Sequence, residues 1–315
     1  MTAHFFAQYL SENLEIICVF DKNETPIEFF IQQKERLNVD EIVSAKVVSY
    51  NKVLKGYFFE TSKKASVFVP STDKLSEGQM HHILILKEAR LNKDATGKIT
   101  TDEIYCPNLK EKVFQKYGPL VELQSIKWGN LIEEALESTI PFSTGANIVI
   151  ERTNACWTID LDSNKSTQSF AQLNKEALPH IAKEIILKNM SGMILIDFIG
   201  SKSFKEKQAL LQEVKPLFQT DSRTRIYDFS KMNLLEIKRK TTSTPLIDVF
   251  YDKNGNKTPL YVLLLIKEAL KTIKQKCILT IHPSLLPFLT DDIKSLVNVE
   301  TNLDFKSDFF ELKEI

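Results

Sequence analysis

The feature that most constrains the fold is a change of pattern near residue 146, after which strand-like apolar segments alternate with helical ones. Two strands read ANIVIERT and ACWTIDLDS, residues 171–190 show helical apolar spacing, and SGMILIDFIG is a further strand. A second helix reads KEKQALLQEVKPLF, and the residues at 233–240, NLLEIKRK, form a short basic element. Strands that alternate with helices predict an α/β domain.

The part of the chain before that point predicts a small β-barrel. Segments rich in aromatic and β-branched residues lie between polar turns over 42–104, namely IVSAKVVSY, GYFFETS, ASVFVP, HHILILKEA and the weaker KITTDEI. Five short strands in about sixty residues are typical of an OB-type barrel. Residues 14–31 predict two more strands around the turn DKNETP. We therefore expect an α+β protein.

The sequence divides into an N-terminal hairpin region, a barrel, a connector, an α/β domain and a C-terminal α/β region, over residues 1–40, 41–104, 105–130, 131–250 and 251–315. The connector is predicted because Pro107, Gly118, Pro119 and Gly129 interrupt it. A helix over about residues 130–138 is predicted to follow, with Asn130 as its N-cap.

Composition narrows the class of protein. The chain is 43% hydrophobic and 26% charged, which is ordinary for a globular protein and speaks against wholesale disorder. Its 41 basic and 41 acidic residues cancel, so a nucleic-acid partner needs a local basic face. The longest apolar runs, VLLLI and MILID, are too short to span a bilayer, and the first residues lack a secretory signal. The four cysteines are far apart in sequence, which favours a reduced cytoplasmic compartment.

The sharpest chemical signal is an acid in each of two apolar strands. Asp160 lies in TIDLDS and Asp197 in ILIDFI. Carboxylates at the ends of adjacent strands commonly hold Mg²⁺, which prefers oxygen ligands and keeps several waters. Such an ion can polarise a phosphate and lower the pKa of its water. The alternative is that each Asp only forms a turn or caps a helix, and these residues alone leave that alternative open.

The same segments resemble the catalytic core of the ribonuclease E/G family. IVIERTNACWTIDLDSN, NKEALPHIAKEIILKNMSGMILIDFI and LLEIKRK follow the family's order and spacing, and the resemblance is best over 131–245. It implies a deoxyribonuclease-I-like subdomain that hydrolyses single-stranded RNA, in RNA processing or decay, with Mg²⁺ held by Asp160 and Asp197. Asp162 completes the implied catalytic set, although the family has Asn there. Gly200 stands where the family usually has another Asp.

The resemblance extends more weakly into the barrel. GYFFETSKKASVFVP is similar to the family's RNA-binding OB block, which implies that Phe58 and Phe68 stack on RNA bases. Strand alternation alone leaves both rings open as barrel core. The segment ILKEARLNKDA and the basic element after Glu236 resemble further family segments. The phosphate contacts that the resemblance implies are Lys87, Arg90, Lys93, Arg239 and Lys240.

Two family features are missing from the sequence. The 5′-monophosphate sensor stretch, R-T-A-G-x-G, is absent, and VFYDKNGNK stands in place of the zinc-linking C-P-x-C. We therefore expect 5′-triphosphate and 5′-monophosphate RNAs to be cut alike. We expect no zinc-linked dimer, which leaves a homo-oligomer without a zinc link open. Residues 1–40 resemble the hairpin of the family's ribonuclease-H-like subdomain. Because these family features are missing, two alternatives to an endoribonuclease stay open: a non-catalytic RNA-binding protein, and a structural partner in an RNA-processing assembly.

Overall fold

The N-terminal strands belong to a mixed sheet of four strands. The computed structural model describes residues 3–90, 93–143, 145–200, 203–273 and 275–315. The strands of this sheet are β1 (Phe5–Leu10), β2 (Leu14–Phe20), β3 (Pro26–Gln33) and β9 (Val121–Glu122), in the order β3-β2-β1-β9. β2 is apolar on both faces, because Ile16 and Cys18 pack into one core and Ile17 and Val19 into another.

The predicted connector contains a helix. α1 (Leu109–Tyr117) begins after Asn108, whose side chain accepts a hydrogen bond from the backbone N–H of Glu111 at 3.1 Å. It ends at Gly118, whose φ of +78° is the conformation that glycine adopts most easily at a helix C-terminus. The helix packs Leu109 and Val113 against the N-terminal sheet.

The second group is a closed five-stranded barrel, which fits the expected OB type. Its strands are β4 (Ile42–Asn51), β5 (Gly56–Thr61), β6 (Ser66–Pro70), β7 (Met80–Lys87) and β8 (Ala95–Thr100), in the order β4-β5-β6-β8-β7. Parallel pairing of β6 with β8 closes it. Alternate residues such as Phe59, Val67 and Ile83 fill the interior.

The third group is a six-stranded sheet with two helices. Its strands are β10 (Thr139–Ser143), β11 (Ala146–Arg152), β12 (Cys156–Asp162), β13 (Gly192–Asp197), β14 (Thr224–Phe229) and β15 (Leu234–Arg239), in the order β10-β11-β12-β13-β15-β14. Its helices are α3 (Phe170–Leu187) and α4 (Phe204–Leu217). β12 and β13 pair in parallel because α3 connects them.

The remaining helices and strands lie just before the six-stranded sheet in sequence or after it. They are α2 (Trp128–Leu136), α5 (Leu246–Phe250), α6 (Pro259–Leu270), β16 (Cys277–Ile281), a 3₁₀ turn (Pro283–Phe288), α7 (Asp291–Leu296), β17 (Val297–Thr301) and β18 (Phe310–Glu314). The last three strands form a sheet in the order β17-β16-β18. One core contains residues of the N-terminal sheet, α2, α5 and α6. Within the described residues, none of the helices has the length and apolarity needed to cross a membrane.

Several elements differ from the sequence prediction. NLLEIKRK forms strand β15, and β10 and β14 were not predicted. α2 begins at Trp128 with Lys127 at its N-cap, so Asn130 is not the cap. The reason is Glu268, whose carboxylate accepts from the backbone N–H groups of Trp128 and Gly129 and so replaces a local cap.

Candidate metal centre and nucleic-acid interface

Asp160 and Asp197 lie side by side in the middle of the six-stranded sheet. Their strands are adjacent and parallel, and the two Cα atoms are register partners. Ile159 and Ile196, the residues just before them, are buried, whereas both acids are exposed. Because successive side chains of a strand alternate between faces, both carboxylates point to the same open face. The strand pairing expected from the sequence is present, and metal binding by the pair stays a prediction.

The open face exists because helices cover only one side of the sheet. Ile148, Ile194 and Ile237 face a core that includes α3 and α4. The opposite face carries Glu151 and Glu236, both exposed, around the aspartate pair. The sheet therefore presents a negatively charged centre to solvent, where a cation and a large substrate can approach.

Electrostatics at this centre disfavour its fully ionised form. Partial burial raises the pKa of Asp160, and the charge of Asp197 raises it further. Asp162 and Glu151 add smaller contributions in the same direction, and a hydrogen bond from the backbone of Leu161 opposes them. A bound cation would relieve this repulsion.

The donor set at the centre fits Mg²⁺. Among the residues that the structure describes, no group of three or more His, Cys, Asp or Glu side chains is placed to hold a metal. The candidate site therefore offers a pair of carboxylates. Mg²⁺ keeps several waters and is commonly bound by one or two carboxylates, whereas a structural zinc site needs four protein ligands.

Asn174 fixes the chain just beyond Asp197. Its Nδ2 donates to the backbone oxygen of Ile199 at 2.8 Å, and the Ile199 N–H donates to its Oδ1 at 3.1 Å. Asn174 is 2% exposed. Asn174 is the first residue of NKEALPHIAKEIILKNMSGMILIDFI, but the sequence alone assigns it no role because its partner Ile199 is 25 residues away.

The departure at Gly200 has a local cause. Gly200 has φ +65°, and a Cβ added there would lie 2.9 Å from Cδ2 of Phe170. An Asp at this position would be strained in its backbone and would crowd the ring. The positive φ and the nearby ring therefore favour glycine at this position.

Asp162 lies on the same face as Asp160, opposite Asn147 in β11. Its Oδ1 accepts a hydrogen bond from the backbone N–H of Asn164 at 2.8 Å. In the orientation of the Asn164 side-chain amide that gives both of its polar atoms a hydrogen bond, Asn164 Nδ2 donates to Asp162 Oδ2 at 2.9 Å and Asn164 Oδ1 accepts from Asn147 Nδ2 at 2.9 Å. Asp162 thus remains exposed but is held by the turn after β12.

Phe58 and Phe68 form a pair on the outside of the barrel. They are register partners in β5 and β6, with ring centroids 5.3 Å apart and planes tilted by 54°. Both are half-buried, while their neighbours Phe59 and Val67 fill the barrel. Phe68 packs over Gly56, where an added Cβ would lie 2.6 Å from its Cζ. The barrel-core alternative is therefore wrong for both rings, and their contact with RNA stays a prediction.

The three cations predicted on the barrel have different surroundings. Lys87 and Lys93 are exposed. Arg90 instead donates through Nη1 to the hydroxyls of Ser191 at 3.2 Å and Thr241 at 3.4 Å, and its Nη2 lies 3.8 Å from a carboxylate oxygen of Asp248. Arg90 therefore links the barrel to the six-stranded sheet and its flanking segment, and its contact with a phosphate stays a prediction.

The prediction of an RNA contact is wrong for Arg239. Its side chain is fully buried, with Nε donating to Asp221 Oδ2 at 2.7 Å. Nη1 donates to Asn189 Oδ1 at 3.0 Å and to the backbone oxygen of Met190 at 2.8 Å. The guanidinium holds the sheet to the loop after α3 and cannot reach a solvent-side ligand. Lys240, the next residue, is exposed.

Comparison with known proteins places this site in a family. The model of the Ribonuclease E/G family matches residues 62–242, a stretch that contains Phe68, Asp160 and Asp197 but not Phe58. Ribonuclease G of Haemophilus influenzae is 29% identical over 162 residues, which are 49% of this chain and 32% of that protein. Ribonuclease E of Synechocystis sp. is 33% identical over 126 residues, 38% of this chain and 19% of that protein.

A plant protein shows the same likeness. The chloroplastic ribonuclease E/G-like protein of Arabidopsis thaliana is 32% identical over 131 residues, 39% of this chain and 13% of that protein. The matched part spans about a third or less of each of these three relatives. Because the family model covers more than half of the residues, including both strands of the aspartate pair, the chain belongs to the ribonuclease E/G family.

Proposed function

We propose that this chain is a magnesium-dependent endoribonuclease that cleaves single-stranded RNA in RNA processing or decay. The observation that carries the proposal is the register pairing of Asp160 with Asp197 on an open sheet face, within the segment that matches the family. An open face admits a long chain, so it suits an internal cut better than an enclosed pocket would.

Asp160 and Asp197 would hold the ion. When bound, Mg²⁺ would polarise the scissile phosphate and lower the pKa of a coordinated water. The two carboxylates are positioned by the backbone, because both strands are central in the sheet and Asn174 fixes the residues after Asp197. Rigid placement of this kind is what a catalytic site requires.

Asp162 would orient the attacking water. Its carboxylate is exposed on the same face as the pair and is held by the turn at Asn164. An ionised carboxylate only accepts hydrogen bonds, so it can direct one proton of a water and draw it away from the attacking oxygen. The Asn that the family has at this position could also donate a hydrogen bond to the water, whereas Asp162 can only accept one.

The barrel would hold the RNA strand. Phe58 and Phe68 present a half-exposed aromatic pair on which bases can stack without sequence preference. Lys87, Lys93 and Lys240 are exposed cations that can contact phosphates and position the strand. Because no sensor stretch is present in the sequence, the proposal includes similar cleavage of 5′-triphosphate and 5′-monophosphate RNAs.

A cleavage assay with unmodified protein tests the proposal. A fluorescent single-stranded RNA is incubated with Mg²⁺ or with EDTA, and the product ends are mapped. We expect internal cuts with 5′-phosphate ends in Mg²⁺ and none in EDTA. Tight RNA binding without any cut in Mg²⁺ would refute the enzyme and favour the non-catalytic RNA-binding protein.

A further inference from the structure

We propose that Tyr227 and Arg225, on edge strand β14, form a subsite for a nucleotide next to the scissile phosphate at the Asp160–Asp197 centre. This inference rests on the proposed function. It adds a second place on the sheet at which single-stranded RNA is held, separate from the aromatic pair on the barrel.

The two side chains share the open face with the aspartate pair. Arg225 is the register partner of Lys238, and Ile226 is the partner of Ile237, which lies in the core. Because Ile226 packs towards the core, Arg225 before it points to the open face. The register of β14 shifts between Ile226 and Phe229, and the contact of the Tyr227 ring with the Arg225 guanidinium places Tyr227 on the same face. β14 lies two strands from β13, and two strand spacings with two residues of rise put the Cα of Tyr227 about 12 Å from that of Asp197.

The chemistry of this edge suits a nucleotide. The Arg225 guanidinium lies 5.0 Å from the centroid of the Tyr227 ring, which orients both groups, and Tyr227 is 41% exposed. An aromatic face stacks on any base, and a guanidinium binds a phosphate through two hydrogen bonds. Within the described residues, no carboxylate lies within ion-pair distance of Arg225, Lys238 or Lys240.

The distribution of charge selects the occupant. The centre of the open face is acidic, with Glu236 on its β15 side, and repels a polyanion, whereas the register partners Arg225 and Lys238 make the end of the β14 edge away from the aspartate pair cationic. Met193, which is 51% exposed, and the half-buried Leu195 lie on the same face of β13, beside Lys238 and Glu236 of β15, and are two apolar side chains on which a base can rest. A strand with alternating bases and phosphates matches this surface, so we commit to single-stranded RNA as the occupant.

Binding measurements with three variants test the subsite. A short fluorescent single-stranded RNA is titrated in EDTA, where no cutting occurs, against Tyr227→Ala, Tyr227→Phe and Arg225→Ala. We expect Tyr227→Ala to weaken binding about fivefold or more, from the value of one base stack, and Tyr227→Phe to retain affinity. Arg225→Ala should reduce the slope of log affinity against log salt by about one, which a loss of packing would not do.

Tyr105→Ala is the matched control, since Tyr105 is 49% exposed and lies away from the sheet, opposite Ile42 at the barrel. A 2-aminopurine placed along the RNA adds a direct readout, because stacking on Tyr227 quenches it at one position and Tyr227→Ala removes that quenching. Equal affinities for Tyr227→Ala, Tyr105→Ala and unmodified protein would overturn the subsite. No RNA binding by the unmodified protein would overturn it as well.

The same RNA with Mg²⁺ separates the two proposals. If unmodified protein cuts it while Tyr227→Ala binds normally, the subsite fails and the endoribonuclease stands. If Tyr227→Ala loses affinity while unmodified protein does not cut, the subsite stands as a binding site and the catalytic proposal fails.

Discussion

Replacing Asp221 with Asn should destabilise the protein through its buried partner, Arg239. The Arg239 side chain is fully buried and its Nε lies 2.7 Å from Asp221 Oδ2. Asp221→Asn keeps the shape of the group but leaves the guanidinium without a counter-charge in the interior. Breaking a buried pair in this way typically costs about 3 kcal/mol or more of unfolding free energy.

The effect should depend on pH in a defined direction. Burial alone would raise the pKa of Asp221, but the charge and hydrogen bond of Arg239, with smaller contributions from Thr224 and Arg223, lower it to about 2. Because the pKa of Asp221 is lower in the folded than in the unfolded state, its ionised carboxylate stabilises the protein above about pH 4. This stabilisation is lost as the pH falls towards 2. The shift corresponds to about 2 kcal/mol at pH 7, of which about 1 kcal/mol is lost by pH 3.

Urea unfolding at pH 7 and pH 3 measures this contribution. We expect the stability gap between unmodified protein and Asp221→Asn to be about 3 kcal/mol at pH 7 and to narrow by about 1 kcal/mol at pH 3. Asp304→Asn, an exposed acid in the C-terminal region, is the control and should show no gap. A gap that is absent at pH 7, or that is the same at both pH values, would refute the reasoning.

Three further predictions concern the candidate RNA interface and the aspartate pair. Phe58→Ala and Phe68→Ala should each weaken single-stranded RNA binding by about 1–3 kcal/mol in a fluorescence titration; unchanged affinity in both would remove the barrel from the interface. Lys240→Ala should lower the salt slope of RNA binding by about one without changing the melting temperature, and a large loss of stability would count against an exposed contact. Asp160→Asn in EDTA should stabilise the fold by up to about 1 kcal/mol at low salt, because one of two adjacent like charges is removed; a lower melting temperature would show that the pair is not repulsive.

The aspartate pair could be predicted because each acid carries its own local signal. TIDLDS and ILIDFI both interrupt an apolar strand with a carboxylate, and a single helix-length segment separates them. Two strands joined through one helix usually lie next to each other in parallel, and acids near the carboxyl ends of both strands then lie at the same edge of the sheet. The closeness of the two acids is therefore the part of the site that sequence indicates most directly.

Arg239 shows where the interpretation of a basic cluster fails. Leu235, Ile237 and Arg239 alternate along β15 and share its core-facing side, whereas Lys238 and Lys240 point outwards. LLEIKRK has a period of two, which separates its basic residues between the two faces of a strand, whereas its composition alone indicates only a basic element. The buried partner of Arg239, Asp221, is 18 residues away in sequence, so no local sequence pattern indicates the ion pair.

The missed elements have equally specific causes. In the predicted connector, Asn108 caps the start of α1 and Gly118 its end, but prolines and glycines nearby favour a loop. β14 has few apolar residues, because it is an edge strand with one face exposed. The sequence does not indicate that Arg90 links the barrel to the six-stranded sheet, since its partners lie about a hundred residues or more further along the chain.

The most direct test of the central claim is the rate at which Asp160→Asn and Asp197→Asn cut single-stranded RNA in Mg²⁺. If both side chains hold the catalytic ion, each variant should lose cleavage by about a hundredfold or more while binding RNA as the unmodified protein does. Asp304→Asn should cut at the unmodified rate. Full cleavage by either aspartate variant would contradict the account.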